Sequence, residues 1–161
     1  MRAMDKKQML NMWERLDGAQ EVTLKAVAAI PDGRWNWKPC PQVRTVKELV
    51  RHIYAWERLW VRAAKRGELT QKDAEKEERT EFKEPRELIA YARKVHREAT
   101  GIVKKLTERD LKRKVKLFFG MELPASVCIA TIYDEHWHHR GQLYVYLRLL
   151  GVDHPFIYGT D

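Results

Sequence analysis

"YDEHWHHRGQLYVYLRLLG", residues 133–151, sets three histidines and two acids into positions 134–139 and then runs into an apolar stretch. Histidine favours a helix less than leucine or alanine does, so the cluster calls for an explanation. On a wheel turning about 100° per residue, Cys128, Ile132, Tyr146 and Leu150 fall within about 20° of His139. Leu143 and Glu135 flank it at about 40°, His136 lies at about 60° and His138 at about 100°. The stretch therefore reads as the end of a helix near 124–150, with Gly151 as a C′ residue. His139 stands at the centre of its buried stripe, where an imidazole needs a partner. His138 and Asp134 belong on the outside.

Three further segments carry the helical period, and none carries a sustained strand alternation. The first runs near 5–29, with Met9, Met12, Leu16, Ala19 and Thr23 on one stripe. The second runs near 45–66: Thr45 and Glu48 make a capping-box pattern, and Gly67 stops it. Its stripe reads Leu49, His52, Trp56, Leu59, Ala63. The third runs near 85–106, with Pro85 in its first turn and Leu88, Ala92, Val95, Ala99, Ile102 and Leu106 inward. "ELTQKDAEKEERTEFKE" between the second and third reads as a polar loop with one partial turn, and 106–122 as a short turn followed by extended or helical chain. Four amphipathic helices with one long crossover loop predict an all-α four-helix bundle over 1–161 as a single domain.

Composition narrows the function classes. A charged fraction of 34% exceeds the roughly 25% usual for soluble proteins, which excludes collagen-like and membrane classes. No stretch approaches the ~20 apolar residues of a membrane span, and "MRAMDKKQMLNMWERL" lacks the apolar core of a signal peptide. Cys40 and Cys128 show no CxxC spacing, so a reduced, cytoplasmic protein is expected. The net charge of +8 raises nucleic acid as a partner, but acids are interspersed among the bases, which suits a solvated basic surface better. No GxSxG, Cys–His pair or phosphate-cradling glycine loop is present.

Glu135 and His139, spaced i,i+4, lie one above the other on one helix face, a spacing by which a helix offers two ligands to one metal ion. His52 repeats the anomaly on the second helix, an ionisable ring midway along an apolar stripe. A lone inward histidine is ordinarily a satisfied core residue; two of them plus an acid at ligand spacing favour a site built between facing helices. Cys128 reads as a small core residue, Trp56 and Trp60 as packing, and His96 and His154 as surface residues. Arg140, Gln142 and Tyr146 stand near the site's edge.

"HHRGQLYVYLRLLG" at 138–151 resembles the signature of the DinB/YfiT-like superfamily of metal-binding four-helix proteins. "AIPDGRWNWKPCPQVRTVKELVRHI" at 29–53, "LTERDL" at 106–111 and "GVDHPFIYG" at 151–159 match in the same order. The resemblance implies an up-down-down-up bundle, commonly a homodimer, with a divalent metal, zinc first and nickel second, held by three histidines. Carried over by position, the ligands fall on His52, His139 and residue 135. Here the chain departs, reading Glu135-His136 where the family commonly reads His-Glu. Three outcomes are open: Glu135 replaces the imidazole; His136 binds at i,i+3 from His139; or the site is weakened or empty. The wheel favours Glu135. The resemblance further implies a metal-dependent enzyme activating a low-molecular-weight thiol (S-transferase) or water (hydrolase) on a small-molecule substrate. The alternatives are a non-catalytic metal-binding or dimerisation module and a basic nucleic-acid-binding helical protein; specific nucleic-acid and membrane binding are not expected.

Overall fold

The computed structural model describes residues 4–159. Helix α1 spans Lys6–Ala28, capped by Asp5, whose side chain accepts from the Gln8 backbone while Gln8 returns the bond. Helix α2, Val46–Arg66, opens on the Thr45–Glu48 capping box and ends at Gly67, whose φ of 94° suits the left-handed C-cap that glycine adopts without strain. An N-cap side chain such as Asp5 or Thr45 contributes about 1 kcal/mol. Helix α4, Pro85–Val103, and helix α6, Ala125–Leu149, complete the bundle. The four expected helices are present with ends shifted by three residues or fewer.

The polar linker holds more structure than its composition suggests, while 106–122 holds the short turn and extended chain expected of it. The polar linker after α2 contains strand β1 (Glu68–Leu69) and the eight-residue helix α3 (Gln71–Glu78), capped by Thr70 through the Asp73 backbone. Its low hydrophobicity hid it, because only Ala74 and Glu77 are buried. After α4 come the short helix α5 (Glu108–Lys112) and strands β2 (Lys114–Leu117) and β3 (Glu122–Pro124). The strands form one small sheet in the order β1-β2-β3, with β1 parallel to β2 in the register Glu68↔Lys116 and β3 antiparallel in the register Val115↔Leu123.

Helix α2 packs between α4 and α6, and α1 packs against α4 and α6 in turn. The core is divided. One apolar cluster gathers Met9, Trp13, Leu16, Leu59, Val103, Leu111 and Ile129; the other gathers Leu24, Val27, Leu49, Tyr54, Leu88, Val95, Leu143 and Leu147. Between them, at the bundle's waist, lie buried polar groups from the bundle helices: Gln20 and Thr23 on α1, His52 and Glu57 on α2, His136, His139 and Arg140 on α6. Half-buried His96 joins them from α4. Burying polar groups costs free energy unless each finds a partner, so the waist is where function or a structural network must reside. No helix among the described residues is long and apolar enough to cross a membrane.

Candidate metal centre

His52 and His139 face one another from α2 and α6 with ring centroids 4.7 Å apart and planes at 90°. Both are buried, and half-buried Glu135 stands one turn before His139. One potential ligand atom from each of the three residues lies within 4.8 Å of the others. Tetrahedral zinc with bonds near 2.0–2.1 Å separates its donors by about 3.3 Å, so small side-chain rotations close the set on an ion.

The outer partners orient the rings. His52 Nδ1 hydrogen-bonds Glu78 Oε1 on α3, and Trp56 Nε1 donates to the same oxygen at 2.7 Å. A carboxylate only accepts, so the hydrogen sits on Nδ1 and Nε2 keeps its lone pair. His139 Nδ1 faces Gln142 Oε1 at 2.9 Å, while its Nε2 lies 3.0 Å from Glu135 Oε2. With the Nδ1 hydrogen on Gln142, Nε2 and the carboxylate are two lone-pair atoms at a separation that only a shared proton or a cation tolerates. Burial pushes the His139 pKa down, as do His52 and His138, against the pull of Gln142 and Glu135. The neutral imidazole this favours is the ligand form. At Glu78, burial raises the pKa, but the hydrogen bonds from His52 and Trp56 and the charge of Arg44 outweigh it, so the carboxyl stays below its ordinary value. An imidazole holding a carboxylate behind it is the usual support of a metal ligand. The donor set fits a divalent metal.

Neighbouring histidines divide by angle. His138 and Asp134 are exposed, as the wheel places them. His136, expected at the site's margin, points the other way: it is buried against α1, with Nε2 2.9 Å from Thr23 Oγ1, while that hydroxyl also donates to the Ala19 carbonyl. Burial, with Arg140, His96 and His139 adding, lowers its pKa to about 3. Arg140, placed beside the site edge by sequence, is also turned to α1 and fully buried. It donates to the Ala19 carbonyl and lies 4.5 Å from the centre of the Trp137 ring. Cys128 is a buried core residue, its thiol pushed up to about 11 by burial.

His96 is the other correction. It is not a surface residue: Nδ1 and Nε2 each lie 2.7 Å from a carboxylate oxygen, on Glu57 and Asp17 respectively, and the ring stacks on Trp13. Glu57 is buried and also accepts from Gln20. Burial lowers the His96 pKa, but the bonds and charges of Glu57 and Asp17 prevail and raise it. The network ties α1, α2 and α4 together. Glu78 likewise escaped sequence reading, because its role depends on α3 folding back over α2.

Beside the site runs a groove of about 580 Å³ lined by Arg44, Glu48, Leu49, Arg51, Gln142 and Tyr146, among others. Gln142 thus touches both the groove and His139. The Tyr146 hydroxyl donates to the Arg44 carbonyl and pins the 29–45 connection against α6. Arg51 is engaged with Glu78, Glu81 and the Thr80 carbonyl. The Arg44 guanidinium is exposed and has no ion pair among the described residues.

The uncharacterized protein YjoA of Bacillus subtilis (strain 168) is 27% identical over 134 residues, covering 82% of this chain and 84% of its own. Its crystal structure, described as that of a DinB-like protein, superposes with a TM-score of 0.74 at 24% identity, over 91% of this chain and 96% of that one. YfiT of Bacillus subtilis, described as a probable metal-dependent hydrolase with an unusual four-helix bundle topology, superposes at 0.75 with 15% identity, over 95% and 93%. A mycothiol-dependent maleylpyruvate isomerase superposes at 0.65 with 12% identity, over 87% of this chain and 63% of that one. The family model of the DinB superfamily matches residues 15–143. With the bundle and that match together, this chain belongs to the DinB superfamily.

Proposed function

We propose that this protein is a metal-dependent enzyme that holds a divalent ion, zinc first and nickel second, on His52, Glu135 and His139, and acts on an anionic small molecule. The observation that carries the reading is the pair of Nδ1 anchors. Glu78 and Gln142 each occupy the outer nitrogen of one histidine, which frees both Nε2 atoms for one ion near the Glu135 carboxylate. The mycothiol dependence of one structural relative and the description of YfiT support thiol or hydrolytic chemistry.

A divalent ion held by His52, Glu135 and His139 would supply Lewis acidity to a water or a thiol. The chain's own residues do the rest. Arg44, on the groove and in no ion pair among the described residues, attracts a carboxylate-bearing substrate. Gln142 couples that groove to His139 and holds the ring's tautomer. Apolar Leu49, on the groove wall beside His52, excludes water from one side. A homodimer belongs to the same reading, supported by the exposed Val145 and Leu149 on the outer face of α6.

Cobalt substitution tests the proposal. Tag-free protein loaded with Co2+ should bind one equivalent and, on titration with 3-mercaptopropionate, develop a thiolate-to-cobalt charge-transfer band. Stoichiometric cobalt with no response to thiol and no hydrolysis of an ester panel would leave a metal-stabilised module without catalysis. Absence of stoichiometric metal would remove the proposal.

A further inference from the structure

A second concavity, of about 650 Å³, opens between α2, α4 and α5 and shares no lining residue with the groove beside His139. Its rim carries Arg62, Lys65, Arg97, Lys105 and Arg113 against only two acids, Glu98 and Asp110. Both acids are already engaged. Glu98 meets Arg58 and Arg62, while Asp110 accepts from Thr107 and Arg113. Arg113 also donates to the Lys65 carbonyl. Lys65, Arg97 and Lys105 are exposed and have no ion pair among the described residues. Three uncompensated cations around one hollow raise its potential and concentrate anions there.

The floor is of a different kind. Half-buried Ile102, buried Leu106 and Gly101 form it. Glycine within a helix costs stability relative to alanine, and close packing does not require this one, since a Cβ at 101 would meet nothing within 4 Å. Its effect is to keep the floor low and leave backbone open to an approaching ring or chain. Arg97 precedes it by four residues on α4, and Lys105 follows it by four, just past the helix end at Val103. A bare inorganic anion would leave most of this volume and all of the apolar floor unused.

We propose that the α2–α4 groove binds an organic polyanion of nucleotide size, its anionic groups on Lys65, Arg97 and Lys105 and its apolar body on Gly101, Ile102 and Leu106. The site is independent of the metal centre, since α2 turns His52 toward α6 and Lys65 toward the opposite neighbour. Pockets of 300–1,000 Å³ that combine an apolar surface with a few convergent polar groups are the usual small-molecule sites.

Calorimetry on the full chain at physiological salt, with ADP, pyrophosphate, adenosine and a duplex oligonucleotide as probes, tests this. ADP should bind at one equivalent, at least tenfold tighter than pyrophosphate or adenosine. Arg97→Ala with Lys105→Ala should lose at least tenfold for ADP, while the charge-matched Lys72→Ala with Lys76→Ala on exposed α3 should lose less than twofold. Gly101→Ala should raise Tm and weaken ADP, a combination that a merely structural glycine does not produce. No ADP binding, pyrophosphate binding as tightly as ADP, equal losses in the two charge variants, or preferential binding of the oligonucleotide would each overturn the proposal.

Discussion

His52 on α2 and Glu78 at the end of α3 share a 2.5 Å hydrogen bond that runs from ring Nδ1 to carboxylate. Glu78 therefore fixes the tautomer of an imidazole that faces His139 across the bundle. Replacing it with glutamine should keep the metal but lower affinity by about 10- to 100-fold, the usual cost of losing such a support. Competition against a chromogenic chelator measures it. Undiminished affinity would show that Glu78 only packs α3 onto α2.

The three donors should rank separately in a metal titration at neutral pH. His52→Ala and His139→Ala should each abolish stoichiometric zinc, and Glu135→Ala should weaken it strongly. His138→Ala and His136→Ala should stay loaded, the latter because its ring is turned to Thr23. Loss of metal in the His136 variant, with the Glu135 variant loaded, would exchange their roles.

Arg44 should select charge. In cobalt-loaded protein, 3-mercaptopropionate should bind at least tenfold tighter than neutral 2-mercaptoethanol, since a charge-assisted bond contributes roughly 1.5–3 kcal/mol and tenfold is about 1.4 kcal/mol. Arg44→Ala should remove the difference without releasing the metal. A preference that survives the substitution would place the selecting cation elsewhere.

His96 should make stability pH-dependent. Its folded pKa is raised, so its contribution is complete below the unfolded value of about 6.5 and is lost as pH rises through the folded value. Burial raises the pKa of Glu57, against the bonds and charge of His96 and the bond from Gln20, so its contribution has the same sign. The lowered pKa values of His136 and His139 give the opposite slope, so in denaturant unfolding at pH 6 and pH 9 the expected signature of His96 is that His96→Gln loses more stability against the wild type at pH 6 than at pH 9. A slope unchanged in that variant would assign the effect to other groups.

Sedimentation at micromolar concentration should find a homodimer. Leu149→Glu with Val145→Glu should yield the monomer with the helical content intact. A wild-type monomer would end that part of the reading.

The bundle was legible in the linear chain because a helix repeats its burial every 3.6 residues, and Leu49, Leu88 or Leu143 report that period locally. Capping is local too, so Thr45–Glu48 and Gly67 marked the ends of α2 before any packing was known. The inward angle of Glu135 and His139 came from the same single-helix geometry. Tertiary structure alone decided which side of a shared stripe each polar group meets. His136 and Arg140 lie about 60° and 100° from the stripe's centre, yet both are buried because the Thr23 hydroxyl and the Ala19 carbonyl of α1 stand opposite. His96 lies off its apolar stripe and is nevertheless enclosed, since Asp17 and Glu57 converge on it from two other helices. Glu78 sits in a polar linker and becomes the anchor of His52 only when α3 folds over α2. Periodicity records the burial of one element; the partner of a buried polar group is a property of the neighbouring element, and only the packed bundle supplies it.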